Sequence, residues 1–497
     1  MPLLRHRPVI LVAFASAALV ACTDVPASGG ETGPPVRART DSVDAVNAEL
    51  ERTLWSARTP DDVAEAVWPV LRVVYERRRY EAMWVGDTAK MAAITGALCS
   101  AATLGLDPAP YVPRELAGGG AAETPEARAR LDLQLSGALA LLGRDLAVGG
   151  ARPGSLQPPW RGDSVARDTT LSALLTAPDP SAALAGLRPR YPEYSALTEA
   201  LLRYRAIADS GGWSAVTEGP PLRPGARDPR VPGLRARLAA GGDADTSGSA
   251  TTFDRTLSVS LARFQRRHGL PASGVLDSAT AAALNVPART RVAQLEANLE
   301  RLRWLPGPAG ESYLLSDLRS GRLRAYVGGL LEVTTTIAAA GGAADSAAPL
   351  RERSVSAVAL GRGRIALSHG DTARLYYGTA DSAARLPASA RPAHGVRIAN
   401  AAAVARILLR GVPGWDAERL RATARADTVT TIPLPHAVAL YEIAPSAYVL
   451  DGVVHFRPDR AGADSTLAAS LAASRGSTPS GADVVCERRR AAPAAAR

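Results

Sequence analysis

The spacing of apolar residues separates a helical part of the chain from a later strand-rich part. Between about Asp44 and Trp213, apolar side chains recur every three or four residues, which is typical of amphipathic helices. One such stripe consists of Leu131, Leu135, Ala138, Leu142 and Leu146. From Tyr313 the period changes to two, and the Gly328-Gly329 pair interrupts the alternation. This pattern predicts short strands joined by tight turns.

A second helical pattern lies within residues 230–304. Leu257 and Phe264 fall on one face of a predicted helix, and Asp277 is placed to cap a second short helix that ends at Asn285. A further stripe consists of Val292, Leu295, Leu299 and Leu302. In the strand-rich part, "NAAAVARILL" predicts a helix, and "PLPHAVALYEIAPSAYVLDGVVHFRPDRAGAD" predicts a strand, a turn and a strand that close a mixed sheet. The fold class predicted from these patterns is α+β, with several domains.

Composition limits the possible functions. A chain of 497 residues with 46% hydrophobic residues is expected to form two or three globular domains. The net charge of +10 comes almost entirely from arginine, since Lys90 is the only lysine. The arginines are scattered through every segment rather than clustered, so we expect no nucleic-acid partner.

The N-terminus predicts an exported lipoprotein. Arg5 and Arg7 precede an apolar run at 9–20 that is too short to span a bilayer and has the order of a secretory signal. The run closes in "LVAC", which matches the bacterial lipobox, so Cys22 is the predicted lipidation site. By resemblance to enterobacterial sorting rules, Thr23 rather than aspartate directly after the cysteine implies the inner leaflet of the outer membrane, with the protein in the periplasm. A plain signal peptide with an incidental cysteine is the alternative.

The other cysteines, Cys99 and Cys486, lie near opposite ends of the chain. We therefore expect no disulfide framework, and each cysteine is predicted to be structural or incidental. The segment from about Ser474, "SRGSTPSGADVVCERRRAAPAAAR", is predicted to be disordered.

The segment "FQRRHGLPASGVLDSATAAALN" resembles the peptidoglycan-binding domain, a small three-helix module. The resemblance covers about sixty residues. Arg263, Arg266 and Arg267, with His268 beside them, form the predicted peptidoglycan-binding face, which would meet the carboxylates of a stem peptide. Two alternatives remain open: a merely solvated basic helix face, and a histidine that only closes the helix.

The segment that follows, "NLERLRWLP", resembles the connection in the large L,D-transpeptidases. The scaffold segments "YERRRYEAMWV", "LGLDPAPY" and "YRAIADSGGWSAV" are similar to that family as well. The resemblance implies a helical scaffold domain, an inserted peptidoglycan-binding module and a degenerate mixed-β domain of the YkuD type. The predicted divisions are a lipoprotein signal peptide (1–21), a flexible tether (22–43), a helical scaffold domain (44–220), a peptidoglycan-binding module (225–288), a connecting helix (289–306), a degenerate L,D-transpeptidase catalytic-type domain (307–473) and a disordered tail (474–497).

The resemblance extends to two histidine motifs. His369-Gly370-Asp371-Thr372 is similar to the first, and "AHGVRI" is similar to the second, which reads Ser-His-Gly-Cys-hydrophobic-Arg in the family. There the cysteine thiolate attacks a carbonyl of a tetrapeptide stem, a histidine acts as base, and backbone N–H groups hold the oxyanion. In this chain no cysteine follows Gly395.

Several alignments of the second motif are open. Val396 can replace the cysteine, which places Arg397 and Ile398 at mismatched positions; a one-residue deletion instead keeps Arg397 as the motif arginine, and we favour it. A third alignment makes Ser368–Asp371 the signature, but the long helix that should follow comes after Asn400 instead. The catalytic candidates carried over from the family are His369, His394, Gly395 and Arg397, without a nucleophile.

The leading hypothesis is a cell-wall lipoprotein that binds peptidoglycan stem peptides and glycan strands and has lost cysteine-dependent transpeptidation, a pseudoenzyme. It would be attached to the membrane through lipid on Cys22 and would help a partner cell-wall enzyme. The alternatives are an active acyl-transfer enzyme with a relocated nucleophile and a purely structural anchor between membrane and wall. No cofactor and no metal are expected.

Overall fold

A computed structural model of the chain describes residues 36–56, 58–118, 123–151, 166–244, 251–305, 312–339, 350–369, 376–379, 395–459, 462–474 and 481–491. Within these residues, no helix combines the length and the apolarity needed to cross a lipid bilayer. The predicted signal peptide, the lipidation site Cys22 and the motif residue His394 lie outside the described residues.

Helices make up most of the structure before residue 305. The α-helices of the described residues are α1 (Val36–Trp55), α2 (Trp68–Arg77), α3 (Thr88–Cys99), α4 (Pro125–Val148), α5 (Ala166–Leu175), α6 (Pro180–Leu187), α7 (Pro192–Asp209), α8 (Val231–Ala240), α9 (Arg255–Arg267), α10 (Ser278–Leu284), α11 (Ala288–Arg303), α12 (Ala401–Leu408), α13 (Ala417–Arg425), α14 (Ala463–Ser474) and α15 (Ala482–Ala491). Short 3₁₀ helices lie at Glu65–Val67, Ser100–Leu104, Ala109–Tyr111 and Arg114–Gly118. The strands lie in the later part, as the change of period predicts.

Helices α1 to α6 pack around α4 and form the first core. The predicted stripe on α4 is confirmed, because its four leucines are buried. Asp132 is buried on the same helix and accepts hydrogen bonds from the backbone N–H groups of Met83 (3.0 Å), Trp84 (2.8 Å) and Val85 (2.9 Å). These bonds replace the hydration that the carboxylate loses and fix the loop after α2 on α4.

A separate small core lies between α8, α9 and α10. Leu257 and Phe264 are buried there, as predicted. The predicted cap is also confirmed, since Asp277 Oδ1 accepts a hydrogen bond from the Thr280 N–H at 2.8 Å at the start of α10 and Asn285 is its C-cap. The buried Gln265 holds the intervening turn through bonds to the backbone at both ends of its amide.

The strands of the later part close into an eight-stranded barrel in the order β1-β2-β3-β7-β6-β5-β4-β8. The strands are β1 (Tyr313–Asp317), β2 (Arg322–Val327), β3 (Leu330–Ala339), β4 (Leu350–Gly361), β5 (Arg364–His369), β6 (Tyr376–Thr379), β7 (Val396–Ile398), β8 (Thr430–Ile443), β9 (Ala447–Leu450) and β10 (Val453–Phe456). The sheet is mixed, because β1 pairs with β8 and β6 with β7 in parallel while the other pairs are antiparallel. The predicted turn at Gly328-Gly329 joins β2 to β3, and both glycines have positive φ.

The inside of the barrel is a packed core rather than a channel. Leu314, Leu323, Val358, Leu367 and Ile398 are buried in it. The predicted helix after Asn400 is confirmed as α12, whose apolar face joins the same core. An eight-stranded barrel is just wide enough for side chains to fill.

The final strands depart from the prediction. The segment 433–464 is predicted to supply a strand, a turn and a strand that close the mixed sheet. Only β8 does so, since it pairs with both β1 and β4, whereas β9 and β10 form a separate two-stranded sheet. The reason is that Ala447, Val454 and Phe456 bury against α7 and α11, outside the barrel.

Helix α11, the predicted connecting helix, is buried on nearly all sides. Its leucines Leu295, Leu299 and Leu302 pack with α7 and with the outer face of the barrel. Gln294 on another face donates to the carbonyl oxygens of Ser446 (3.2 Å) and Arg457 (2.8 Å). The helix is therefore a common wall of the scaffold core, the small module and the barrel.

The most buried polar groups of α11 are Glu300 and Arg303. Arg303 Nη1 lies 2.9 Å from Glu300 Oε2, and Arg303 Nη2 donates to the carbonyl oxygen of Gly105 at 2.7 Å. Glu300 Oε1 accepts from the Ala151 N–H at 2.8 Å. Gly149 has a φ of +93°, and a Cβ at this position would collide with Glu300. The pair thus ties α11 to two loops of the scaffold domain.

Two expectations about the chain ends are wrong. Residues 36–43, assigned to the tether, belong to α1, and residues 482–491, assigned to the disordered tail, form α15. Ala482, Val485 and Cys486 of α15 are buried in the first core, so the helix is stabilised by tertiary packing that its local sequence does not reveal.

The expectation that the cysteines are unpaired is also wrong. Cys99, at the end of α3, and Cys486, on α15, form a disulfide with a Cα–Cα distance of 5.5 Å. The two residues are 387 positions apart in the chain. Sequence distance gave no reason to pair them, but α15 packs beside α3.

We expect the disulfide to stabilise the whole chain. Replacing both cysteines (C99A/C486A) should lower the free energy of unfolding by about 2–5 kcal/mol, because the cross-link restricts the unfolded chain. Urea unfolding followed by circular dichroism measures the change. A reducing agent should destabilise the parent protein and leave C99A/C486A unaffected; a parent protein that is indifferent to reductant and as stable as the variant would contradict the prediction.

Candidate functional site

One end of the barrel gathers the residues to which the sequence points. His369 is the last residue of β5, Gly395 directly precedes β7, and only β6 separates the two strands. Leu367 on β5 and Val396 on β7 are both level with Tyr376 on β6, so the carboxyl end of β5 and the amino end of β7 meet at one rim. The two strand backbones lie about 10 Å apart at this rim.

A buried polar network lies inside the barrel at the same end. The Tyr376 hydroxyl lies 2.7 Å from Glu442 Oε1 and 2.8 Å from Ser316 Oγ. Arg353 Nε donates to Glu442 Oε2 at 2.8 Å. All four side chains are buried. Each strand supplies its residue because side chains alternate between the two faces of a barrel wall. We call these residues the polar network.

The network contains groups capable of acid–base chemistry, but they bind one another. Glu442 is paired with a guanidinium and a phenol, and Ser316 is not joined to a histidine base by any described contact. A hydroxyl becomes a nucleophile only beside a positioned base. The arrangement fits a satisfied polar core, which joins β1, β4, β6 and β8.

The described residues of the second histidine motif do not point together into a site. Val396 is fully buried and packs in the barrel core, and Arg397, the predicted motif arginine, is exposed on the outer face of β7. Arg397 is opposite Ala338 of β3 and Tyr377 of β6. His394 lies outside the described residues. The structure therefore places His369, Gly395 and Arg397 around one rim without bringing a described nucleophile to them.

The predicted peptidoglycan-binding face divides into two pairs. Arg263 and Arg266 are exposed on α9, whereas Arg267 and His268 are buried. The Arg267 guanidinium pairs with the buried Asp243, with Nε donating to Oδ1 at 2.7 Å. Grouping all four residues on one accessible face is therefore a misassignment, because α9 turns Arg267 and His268 toward the protein.

His268 closes α9, the alternative that the sequence left open. It is the C-cap residue, and its Nδ1 lies 2.8 Å from the carbonyl oxygen of Phe264. Its ring stacks on Phe264 at 3.8 Å and lies 5.7 Å from the ring of Phe456 on β10. Burial, followed by the charges of Arg267 and Arg291, lowers the pKa of His268 well below its usual value. The side chain is thus a neutral packing element between the module and the small sheet.

The scaffold domain contains a cavity that the sequence gave no reason to expect. The cavity has a volume of about 570 Å³ and is lined by residues of α4, of the 3₁₀ helices and of α11. Asp145 lies in its wall, where Oδ2 accepts a hydrogen bond from the Tyr111 hydroxyl at 2.8 Å and Oδ1 lies 3.0 Å from Arg144 Nη1. Burial raises the pKa of Asp145 to about 7, against the lowering effects of Arg144 and Tyr111. The only signal in the sequence is an acidic residue within the apolar stripe of α4.

Metal chemistry has no candidate site among the described residues. No group of three or more histidine, cysteine, aspartate or glutamate side chains there is placed to hold a metal ion.

Comparison with known families identifies two parts of the chain. The family model "Scaffold domain" matches residues 69–201, and the model "Putative peptidoglycan binding domain" matches residues 227–284. The chain thus joins a scaffold domain to a peptidoglycan-binding domain, and the latter contains α8, α9 and α10.

Solved structures give weaker likenesses. The chain is similar to the L,D-transpeptidase from Xylanimonas cellulosilytica at 14% identity, over 46% of this chain and 98% of that one, with a TM-score of 0.17. It is also similar to a fused Zn-dependent amidase/peptidase/peptidoglycan-binding domain-containing protein from Clostridium acetobutylicum at 12% identity, over 45% of this chain and 100% of that one, with a TM-score of 0.16. TM-scores this low carry no argument about function. No curated protein matches the sequence.

The raised pKa of Asp145 predicts a pH-dependent stability. Between its usual pKa of 3.8 and about 7, the folded state keeps a proton that the unfolded state has lost, so this group makes the protein less stable as pH rises through that window. Asp145→Asn removes the ionisation. Relative to the parent, it should gain about 2–4 kcal/mol of unfolding free energy between pH 4 and pH 8.

Denaturant unfolding at both pH values measures this difference. Tyr111→Phe provides the opposite control. It removes a hydrogen bond that lowers the pKa of Asp145, so the stability loss of the variant should extend to higher pH than that of the parent protein. If the unfolding free energies of the parent and Asp145→Asn changed in parallel with pH, the raised pKa of Asp145 would be contradicted.

Proposed function

We propose that this chain is an exported cell-wall protein that binds peptidoglycan through residues 227–284 and does not carry out cysteine-dependent transpeptidation. The observation that carries the proposal is the match of a peptidoglycan-binding domain in a chain with three cysteines, of which Cys99 and Cys486 are joined in a disulfide. The third, Cys22, precedes every predicted domain of the folded chain.

The proposed wall contact uses the exposed side of α9. Arg263 and Arg266 project from successive turns of this helix and are accessible. Guanidinium groups bind carboxylates through paired, charge-assisted hydrogen bonds, and stem peptides carry carboxylates. At an exposed site such contacts weaken with added salt. The exposed arginines supply attraction, and the shape of the module supplies the remaining contacts.

The proposed loss of transpeptidation follows from the chemistry of the nucleophile. Acyl transfer of the kind the family resemblance implies begins with a thiolate. Here the residue after Gly395 is a valine packed into the barrel core, and a valine side chain has no electron pair to donate. Loss of a nucleophile from a catalytic unit lowers turnover by about 10⁶-fold. The polar network is consistent with this view, because its groups are buried and bound to one another.

Export and lipid attachment are further parts of the proposal. A disulfide between cysteines distant in sequence is typical of proteins that fold in an oxidising compartment, which supports export. The lipobox at Cys22 would then attach the protein to the membrane, and the peptidoglycan-binding module would hold the wall. On this view the protein links the two layers and positions a partner cell-wall enzyme near stem peptides.

Binding to the wall can be tested with purified sacculi. The double variant R263E/R266E should bind sacculi roughly tenfold more weakly than the parent chain, because charge reversal replaces attraction by repulsion. R421E/R425E, which reverses two exposed arginines on α13, is the matched control and should bind like the parent. A pull-down at physiological salt that recovers no parent protein would reject wall binding, and equal losses in the two variants would reject the assignment to α9.

The absence of transpeptidation is tested separately. We expect the parent protein to release no D-alanine from disaccharide-tetrapeptide and to form no cross-linked dimer, as measured by mass spectrometry of the products. An acyl adduct on any residue near the barrel rim, after incubation with this substrate, would support a relocated nucleophile and overturn this part of the proposal.

A further inference from the structure

A groove of about 410 Å³ runs between the peptidoglycan-binding module, α11 and α14. Residues of α10 form one wall, α11 forms the floor, and residues within 456–459 and 464–468 form the other wall. The apolar lining includes six small side chains, Ala279, Ala282, Ala283, Val286, Ala293 and Ala468, together with Leu270, Phe456 and Pro458. The small side chains leave room for short alkyl groups beside the larger apolar ones.

Two guanidiniums line this groove with no anionic partner among the residues that the structure describes. Arg291 Nη1 donates to Gln294 Oε1 at 2.9 Å and Nη2 to the Ala283 carbonyl oxygen at 3.4 Å, whereas its Nε is buried without a partner. Arg457 donates to the carbonyl oxygen of Arg267 at 3.0 Å and to the Tyr448 hydroxyl at 2.8 Å. All these acceptors are neutral.

Arg291 is 93% buried, since 7% of its surface is exposed. Its guanidinium lies 4.5 Å from the centre of the Phe456 ring. Burial, together with the positive charge of Arg267, lowers the pKa of Arg291 to about 10, which means that its surroundings do not compensate its charge. An anion placed beside it would recover that lost stabilisation.

The carboxylates of the groove are already bound elsewhere. Asp464 pairs with Arg301 Nη1 at 2.5 Å and accepts from the Ser446 hydroxyl. Asp459 accepts the N–H groups of Asp464 (3.1 Å) and Ser465 (2.9 Å) at the start of α14. Neither carboxylate forms an ion pair with Arg291 or Arg457 among the described residues, so the contacts described for these two guanidiniums are with neutral acceptors.

Backbone geometry keeps Arg457 in this position. Gly269, in the turn after α9, has a φ of +70°, and a Cβ at this residue would lie 2.9 Å from Arg457 Cδ. The turn therefore has to be glycine both for its conformation and for the close approach of the arginine stem. The sequence sets Gly269 and Arg457 far apart, and the fold brings them together.

We infer that this groove binds the free carboxylate end of a short peptide of small residues, with Arg457 and Arg291 at the carboxylate and the alanine surface at the methyl groups. The inference rests on the proposed wall-binding function, from which a stem peptide that ends in D-alanine follows as the occupant. The groove would be a second contact with peptidoglycan besides the exposed face of α9. It lies where the module packs against α11 and α14.

The test uses the full chain and a defined probe. Isothermal titration with N-acetyl-D-alanyl-D-alanine should show saturable binding, and the C-terminal amide of the same dipeptide should bind at least about tenfold more weakly, because the charge-assisted hydrogen bonds are lost. The L,L dipeptide should bind more weakly than the D,D form. Preference for the L,L form would reject the stem peptide as occupant, and equal binding of acid and amide would overturn the inference.

Variants locate the site. Arg457→Gln should weaken binding of the free acid about tenfold and Arg457→Lys by much less, since the lysine keeps the charge. Ala282→Phe places a large side chain on the exposed groove wall and should abolish binding, whereas Ala422→Phe on α13 should have no effect. Ala282→Phe keeps the test valid if Arg457→Gln fails to fold.

Sacculus binding by the same variants separates the two proposals. Suppose that the parent protein binds sacculi but shows no binding of the dipeptide acid at dipeptide concentrations up to about 10 mM. The groove inference then fails and the wall-binding proposal stands. If the dipeptide binds and the sacculi do not, wall binding fails while the groove remains a carboxylate site. Unchanged dipeptide affinity in both Arg457→Gln and Ala282→Phe would place the site elsewhere and overturn the inference.

Discussion

The rest of the structure depends on the buried ion pair of Glu300 and Arg303 in α11. Both side chains are essentially inaccessible, and they bind backbone groups of Gly105 and Ala151 in the scaffold domain. Arg303 Nε also donates to the Tyr194 hydroxyl, and Glu300 Oε1 also accepts from the Trp304 indole N–H. A buried pair of this kind is tolerated only when every charge is satisfied, and removal of one partner costs about 3–5 kcal/mol. The pair therefore fixes the position of α11 relative to the scaffold domain, and each part that packs on α11 takes its position from there.

The placement of α11 explains why the peptidoglycan-binding module has one exposed side and one buried side. The module packs on α11 and on the small β9–β10 sheet, so His268 stacks between Phe264 and Phe456 and Arg267 binds Asp243. In the adjoining groove, the hydrogen bonds described for Arg291 and Arg457 all go to neutral acceptors. The arginines between the module, α11 and the β9–β10 sheet thus have defined structural partners, although the overall excess of arginine in the chain is scattered.

The barrel is a filled packing unit. Its interior is filled by apolar side chains and by the polar network of Ser316, Arg353, Tyr376 and Glu442, so its stability does not need an open cleft. The motif residues His369 and Gly395 still meet at one rim because strand pairing alone brings them there.

The sequence by itself determined the features that depend on neighbours within a few residues. These include the buried stripe of α4, the Asp277 cap, the Gly328-Gly329 turn and the absence of a cysteine after Gly395, because periodicity, capping and turn conformation are local. Only the tertiary structure decided which basic residues are exposed and that Cys99 bonds to Cys486. It also decided that β9 and β10 leave the barrel. The environments that shift the pKa values of Asp145 and Arg291 depend on it as well. Burial and pairing are set by segments that meet from distant parts of the chain, and no local pattern contains that information.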